Sequence, residues 1–445
     1  MSPSTFRPLR LALVCDWYPP RVGGIETHVR ALAEQLVAAG HEVDVITTAA
    51  GCRGKGAALA RPAPRTGERR NAPRPVAIRH GADGVRVRRL CLACVPHFAI
   101  TASPRVCAAM TDVLAEGEYD LVHSHASVLS PLAFAGMAAA HGLGLPAVLT
   151  QHSVLGRAVP LLAAADRVVG WTRWRVLHTA VSPFVADEVR EAAARAGRVI
   201  DTQVLPNGIH PRAWAVARRA PGVPGELHMA SVMRLASRKR PRALVEIAAM
   251  LRARLPQGMR FTLRIAGDGP ERAAVERDIR RLGLGSTVEL LGWQPREAIR
   301  ALYAESDVFV LPSILESFGI AALEARCAGL PVAAMRHAGP AAFIRDGIEG
   351  LLADDDEGLV AQLLRLATDD RLRASIARHN RITRPAETWD AVLARHEAVY
   401  AEARRMAHGL SLHTSPAPAV TGRGWRRGRV GRLGRVSQTA AGPRR

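Results

Sequence analysis

The 445-residue sequence predicts two α/β domains of similar size, each a doubly wound, mostly parallel sheet covered by helices. Three observations carry this. Short apolar, β-rich runs alternate with longer amphipathic stretches, an order that gives right-handed crossovers in parallel sheets. The alternation pauses at the turn Pro206-Asn207-Gly208 and the Pro/Gly/Arg-rich stretch up to Gly225, then resumes. A composition of 48% hydrophobic and 23% charged residues is that of a globular body with room for large cores.

The first strand is expected over Leu9–Cys15, where five apolar residues run up to Asp16, too few for a signal or membrane-spanning segment. A glycine loop, Pro19–Gly24, leads into a helix from about Glu26 to Ala39; Gly40 stops it, and Glu42–Thr47 resumes as a strand. Gly84–Leu90 reads as a strand, Pro104–Ala115 as a helix and Leu121–His123 as a strand ending at His125. Residues 121–156 carry no Asp, Glu, Lys or Arg, but four His, two Pro and four Gly interrupt them, so they read as buried strand, helix and strand rather than a membrane segment. Ala147–Gln151 and Val176–Val181 continue the series. In the second half, strands are expected at Leu227–Val232, Phe261–Ala266, Thr287–Leu291, Val308–Leu311 and Val332–Ala334, with helices such as Arg240–Ala253 and Glu271–Leu282 between them. Two such sheets bind ligands outside the carboxyl ends of their strands, so facing domains place a site in the cleft between them.

The net charge of +21 is concentrated in two places. Residues 51–89 hold eleven Lys/Arg against two acids, and residues 410–445 hold eight Arg and no acid, so +9 and +8 leave only +4 for the rest. Both stretches read as a basic loop and a disordered tail. Six scattered Cys without a signal peptide fit a reducing cytoplasm, and Cys91-Leu-Ala-Cys94 lacks the further ligands of a metal knuckle.

Gly23-Gly24 sits between the first strand and its helix, where missing side chains let a ligand approach the backbone and a helix N-terminus attracts an anion. It is neither GxGxxG nor a Walker loop, and taken alone it is better explained by a tight turn. Only Lys55 and Lys239 are lysines among 61 basic residues. Arg234 and Lys239 follow a strand and can clamp a diphosphate, Arg through its fork and Lys as a point charge, while Arg238 and Arg240 read as a solvated basic loop. Gly267-Asp268-Gly269-Pro270 suits a helix-initiating turn and also a nucleotide. Glu316 and Glu324 stand eight residues apart across a loop-to-helix junction whose amides, at Phe318, Gly319 and Ile320, would point at an anion. The alternative makes Glu316 a cap and Glu324 a solvated helix residue. His123-Ser124-His125 permits a metal pair by geometry but shows no third ligand, and one His in the core with the other lining the cleft is expected. Asp354-Asp355-Asp356 reads as a helix cap.

In this order, GGIE, HSH, Arg-x4-Lys, GDGP and Glu-x7-Glu resemble the family 4 retaining glycosyltransferases of the GT-B fold, two facing Rossmann-like domains with a cleft between them. The resemblance runs from Leu9 to about Ala403, and the stretch from His123 through His152-Ser153 is most similar to the enzymes that place GlcNAc on phosphatidylinositol. It implies an acceptor-side domain at residues 1–205, a nucleotide-sugar domain at 206–385, a helix at 386–409, beginning at Trp389, that crosses back to the first domain, and the tail 410–445. The implied reaction is metal-independent hexosyl transfer, with retention, from a nucleotide-diphosphate donor to a lipid or cell-envelope glycan acceptor, without a cofactor. Arg234 and Lys239 would neutralise the departing diphosphate. Glu324 would hold the ribose and Glu316 the sugar hydroxyls, beside the amides of Phe318–Ile320. Gly23 and Gly24 would approach donor phosphate and acceptor, Gly267 would belong to the donor side, and His125 would contact the sugar near its reacting carbon. A cytoplasmic protein, peripheral at an anionic inner-membrane face, is expected. A soluble acceptor such as an inositol phosphate or sugar is an alternative. A second, different alternative is a non-catalytic anion- or nucleic-acid-binding protein, which the lack of aromatic residues interleaved with the basic segments disfavours. The sequence departs from the family at Arg240, where Gly is usual, at His210, where Asp is usual, and at Ala338-Gly339 and Ala342, where Gly-Gly and a later Glu are usual.

Overall fold

The computed structural model describes residues 7–21, 23–48, 75–80, 84–95, 100–101, 103–217 and 225–409. Residues 51–74 of the basic loop, the stretch 218–224 and the Arg-rich tail lie outside them. The described residues between Met1 and Gly409 form one compact unit.

The first half begins with β1 (Arg10–Cys15), α1 (Gly24–Ala38) and β2 (Glu42–Thr48), the βαβ unit expected from the sequence. Strands β3 (Pro75–His80) and β4 (Arg86–Leu90) follow, then the short pair β5 (Cys94–Val95) and β6 (Ile100–Thr101), and α2 (Val106–Glu116). The alternation continues through β7 (Leu121–Ala126), α3 (Pro131–Leu143), β8 (Ala147–Gln151), α4 (Val159–Val169), β9 (Leu177–Ala180), α5 (Pro183–Arg195) and β10 (Thr202–Val204). The sheet order is β10-β9-β8-β7-β1-β2-β4-β3, parallel except for β3 against β4. The strand expected over Gly84–Leu90 forms as β4, whereas the loop reading of the stretch before it fails at Pro75–His80, which pairs with β4 as β3. Arg86 and Arg88 both reach the buried Asp44 of β2, at 2.6 and 2.8 Å, so basic residues near the sheet's edge are held by a carboxylate from the sheet itself.

After α6 (Pro211–Trp214), the second half runs β11 (Glu226–Val232), α7 (Pro241–Arg254), β12 (Arg260–Ala266), α8 (Arg272–Arg281), β13 (Val288–Gly292) and α9 (Arg296–Ala304). It continues with β14 (Val308–Leu311), α10 (Ile320–Cys327), β15 (Val332–Met335), β16 (Gly350–Ala353), α11 (Asp356–Thr368) and α12 (Asp370–Ile382). Its sheet is fully parallel in the order β13-β12-β11-β14-β15-β16. The short β10 and β16 are strands that the apolar pattern does not reveal. Asp355 accepts a hydrogen bond from the Gly358 amide at 2.7 Å, the cap expected of the acidic triplet.

The last helix, α13 (Trp389–Ala407), buries Trp389, Val392, Val399, Tyr400 and Ala403 in the same cluster as Leu11, Leu13, Val29 and Leu36 of the first half. Trp389 N donates to Ile209 O and Ile209 N to Glu387 O, tying the chain just after the Pro206-Asn207-Gly208 turn to the start of this helix.

Each sheet has one point where the chain's winding reverses. In the first it lies between β1 and β7, in the second between β11 and β14. Loops at such a point diverge and leave a crevice, so the two reversals set the place of a ligand site.

Candidate active site

A cleft of about 970 Å³ is lined from both halves by the loops that leave the carboxyl ends of β1, β7, β8, β11, β12, β13 and β14. Gly23 and Gly24 form one wall, at the N-terminus of α1. A Cβ on Gly24 would meet nothing within 4 Å, so its backbone lies open. Opposite are Arg234, Lys239, Gly267, Glu316, Phe318, Gly319 and Ile320.

Lys239 and Glu316 belong to the two loops at the second reversal point. The Lys239 ammonium donates to a Glu316 carboxylate oxygen at 2.6 Å, with Glu316 buried and Lys239 mostly so. Ser313 Oγ donates to the Lys239 carbonyl at 3.2 Å, joining the loops a second time. Arg234 stands exposed on the cation loop. Gly319 caps α10 at φ 90°, a left-handed conformation natural to glycine, and the helix then starts at Ile320 as the sequence suggests. At Gly267, with φ 136°, the Met233 carbonyl oxygen occupies the space that a Cβ would need. Absence of a side chain there lets the β12 loop lie directly on the cation loop, where Leu235 N donates to Asp268 O and Glu271 N to Leu235 O.

Arg240 is corrected from a solvated loop residue. It sits at φ 56°, which explains why Gly is usual there, and it compensates with a bidentate pair to Asp356 at 2.8 and 2.6 Å and a bond to the Pro312 carbonyl at 3.1 Å. Arg238 remains exposed, at the cleft wall.

The histidine expectation is also corrected. His123 and His125 are both buried, and neither lines the cleft. His123 bonds Tyr400 Oη at 2.9 Å through Nδ1 and Thr150 Oγ1 at 2.7 Å through Nε2. His125 Nδ1 lies 2.9 Å from Nε2 of His152, and it is His152 that faces the cleft. His28, one turn into α1, stacks on Trp389 with ring centroids 5.7 Å apart and lies 5.1 Å from the His152 ring. Burial, then the neighbouring imidazoles, hold His28, His123 and His125 far below the usual histidine value, and His152 is lowered to about 3, so the cluster is neutral. His28, His125 and His152 offer nitrogens all within 4.8 Å of one another. Those are the further ligands that strand spacing could not reveal, contributed by α1 and the loop after β8, and neutral imidazoles are the form that binds a metal. His125 Nδ1 and His152 Nε2 are joined in a 2.9 Å hydrogen bond.

Glu324 is half-buried one turn behind the cleft wall, which ends at Ala321. Burial pushes its carboxyl up to about 8, opposed by Arg296. Residues not singled out from sequence also line the cleft. Arg21 lies over the Trp17 ring at 5.5 Å and 3.6 Å from the Glu26 carboxylate, and Trp293, 68% exposed, flanks the opposite wall. Their signal was position alone: each falls just beyond, or in the first turn after, a strand's carboxyl end.

Two family models match in tandem, "Glycosyltransferase Family 4" over residues 22–213 and "Glycosyl transferases group 1" over residues 217–383. The chain belongs to the family 4 glycosyltransferases. The transferase is 29% identical over 416 residues to a D-inositol 3-phosphate glycosyltransferase of Salinispora arenicola, covering 86% of this chain and 87% of the relative. It is 30% identical over 316 residues to the protein of that name from Thermobispora bispora, covering 66% and 72%. It is also 24% identical over 405 residues to a phosphatidylinositol N-acetylglucosaminyltransferase component of Arabidopsis thaliana, covering 90% and 83%. Among solved structures, Anabaena Alr3699/HepE in complex with UDP and glucose superposes with a TM-score of 0.62 at 19% identity, over 88% of this chain and 99% of that one. The transferase therefore has the GT-B fold, and the alternative of a non-catalytic binding protein gives way to a glycosyltransferase.

Proposed function

We propose that this glycosyltransferase moves a hexose, with retention and without a metal, from a nucleoside-diphosphate sugar to a hydroxyl of a lipid or cell-envelope acceptor. The observation that carries the reading is the Lys239–Glu316 pair at the reversal point of the second sheet, beside Arg234 and the N-terminus of α10. A cation paired to a buried carboxylate can change partners: the donor diphosphate takes Lys239 and Arg234, and Glu316 is released to accept from the sugar hydroxyls. The amides of Phe318–Ile320 face the same anion. Lys239, Arg234 and the helix end stabilise negative charge as it grows on the leaving phosphate, so they act on the transition state more than on bound donor. The leaving phosphate oxygen takes the acceptor proton on the same face, which needs no protein nucleophile.

Glu324 binds the ribose. A carboxyl that burial drives upward gains most from hydroxyl donors, and its retreat behind Ala321 leaves room for a sugar edge. The acceptor lies against Gly23, Gly24 and the β7 and β8 loops. His125 takes the role of orienting His152, which meets the sugar. A HepE neighbour bound to UDP and glucose supports a UDP-sugar donor as the first to test. The inositol 3-phosphate relatives support a soluble inositol phosphate as the competing acceptor.

The test is a screen of purified protein against UDP-, GDP- and ADP-sugars with and without EDTA, comparing wild type with Lys239→Ala and Glu316→Ala. Saturable, EDTA-insensitive donor turnover lost in both variants is expected. Turnover abolished by EDTA would instead draw attention to the histidine trio and end the metal-free mechanism.

A further inference from the structure

We propose that the outward face of α4 docks this protein onto an anionic lipid bilayer, which deepens the acceptor reading above by naming the surface that meets the lipid.

Helix α4 is built the wrong way round for a helix that faces only water. Its inner side packs Val159 and Ala163 into a small cluster with Leu155, Trp171 and Val189. Its one acid, Asp166, is also turned inward, where its carboxylate accepts from the Thr172 amide and hydroxyl, both at 2.8 Å. The outer side is the stripe Pro160, Leu161, Ala164, Arg167 and Val168, all exposed. These positions fall at i, i+1, i+4, i+7 and i+8, the spacing of one helical face. Leu161 is 71% and Val168 91% exposed, so an aliphatic face of a well-packed helix is left uncovered.

The charge around the stripe has one sign. Over residues 156–175 the exposed charged side chains are Arg157, Arg167, Arg173 and Arg175, with no exposed acid. On the neighbouring α5 the acids are engaged: Glu188 accepts from the amides of Leu155 and Gly156, Asp187 pairs with Arg190, and Glu191 with Arg195. Arginine alone would suit a nucleic acid, and aliphatic side chains alone would suit a protein groove. The two interleaved on one helix face, without acids, match a surface that offers both hydrocarbon and phosphate, which is the interface of an anionic bilayer.

The location serves the site. β8 ends at Gln151, His152 and Ser153 line the cleft, and α4 begins six residues later. The start of α4 therefore follows closely on the carboxyl end of β8, so a bilayer docked on this helix would sit near the acceptor side of the cleft.

The experiment is co-sedimentation of the full chain with vesicles of phosphatidylcholine alone and of phosphatidylcholine with about one third phosphatidylglycerol, at about 0.15 M salt, where long-range electrostatics are screened. The variants are Leu161→Ser with Val168→Ser, which leaves every charge in place, and Arg157→Gln with Arg167→Gln. Both sets are exposed, and thermal unfolding checks that each folds. The wild type is expected to bind the anionic vesicles and not the neutral ones, with each double variant weaker by about tenfold or more. Unchanged binding by the serine variant would overturn the proposal, because the basic loop and tail would then account for attraction by charge alone. Retention by nucleic acid or an acidic protein with no vesicle binding would overturn it too. Donor turnover to water is read in the same preparations without vesicles, so failure of the docking surface and failure of the transferase reading are separate results.

Discussion

In the proposed mechanism Lys239 and Glu316 each have a task toward a donor, yet in the free protein they satisfy each other at 2.6 Å. A diphosphate must therefore compete with Glu316 for the ammonium. Glu316→Gln keeps a polar side chain there but removes the competing charge. A nucleoside diphosphate without sugar is expected to bind that variant more tightly, by about threefold to tenfold, or up to ~1.4 kcal/mol. Turnover of the nucleotide-sugar should fall at the same time. Calorimetry with UDP, GDP and ADP checks the first half, and weaker binding of all three would show that the pair does not oppose the anion. The histidines give a second residue-level prediction. His152→Ala is expected to cut donor turnover about 10- to 100-fold, the range of a lost hydrogen bond, while binding of the bare nucleotide stays unchanged. His125→Asn keeps a side-chain amide beside His152 and should retain more activity than His125→Ala. Equal loss in both His125 variants with full activity in His152→Ala would return the sugar contact to His125.

At the scale of elements, the cation loop is held by what surrounds it. Arg240 adopts a left-handed backbone at a cost of about 1–2 kcal/mol for a residue with a Cβ. Its bidentate pair to Asp356 at the start of α11 and its bond to the Pro312 carbonyl join three segments of the second sheet's carboxyl edge. Arg240→Ala keeps the strained conformation and loses the pair, so it should destabilise by about 1–3 kcal/mol. Arg240→Gly loses the pair and relieves the strain, so it should be the milder change. Urea unfolding of the two variants decides the matter, and an Ala variant at least as stable as the Gly variant would contradict this account.

For the whole molecule, burial of neutral histidines ties stability to pH. His28, His123, His125, His152, His178 and His396 all have lowered values, with His152 at about 3 and His178 and His396 at about 4. The unfolded chain binds protons near 6.5 and the folded one does not, so their contribution is full above that pH and is lost as pH falls toward the folded values. Each costs up to about 1.4 kcal/mol per pH unit in that window. Buried carboxyls act oppositely. Burial raises Asp16 to about 6 and Glu324 to about 8, and it moves Glu188 and Glu387 upward too, so the fold prefers their protonated forms and acidification relieves them. The histidines outnumber these carboxyls, which leaves a net loss between about pH 6 and 4.5. The Tm is expected to drop by several degrees from pH 7 to pH 5, and a flat or rising Tm would refute the balance. His123, His396 and Tyr400 bring α13 into this, since a charge in that cluster would sit between the last helix and the first sheet.

By itself the sequence determined most strands of the two sheets, β3, β10 and β16 apart, because apolar runs, glycine stops and proline turns are local signals that act over a few residues. It also located Gly23, Gly24, Arg234, Lys239, Gly267, Glu316 and Phe318–Ile320, since loops after strands in a doubly wound sheet open onto one edge, and all of them line the cleft. The tertiary structure alone decided which partners meet. Arg240 finds Asp356 116 residues away, His123 finds Tyr400 across 277 residues, and the histidine that reaches the cleft is His152 rather than His125. Strand spacing sets which face a side chain takes, but whether that face meets solvent depends on the helix laid over it. Here α1 supplies His28, 6.1 Å from the His125 ring, α13 supplies Trp389 stacked on His28, and His125 is buried.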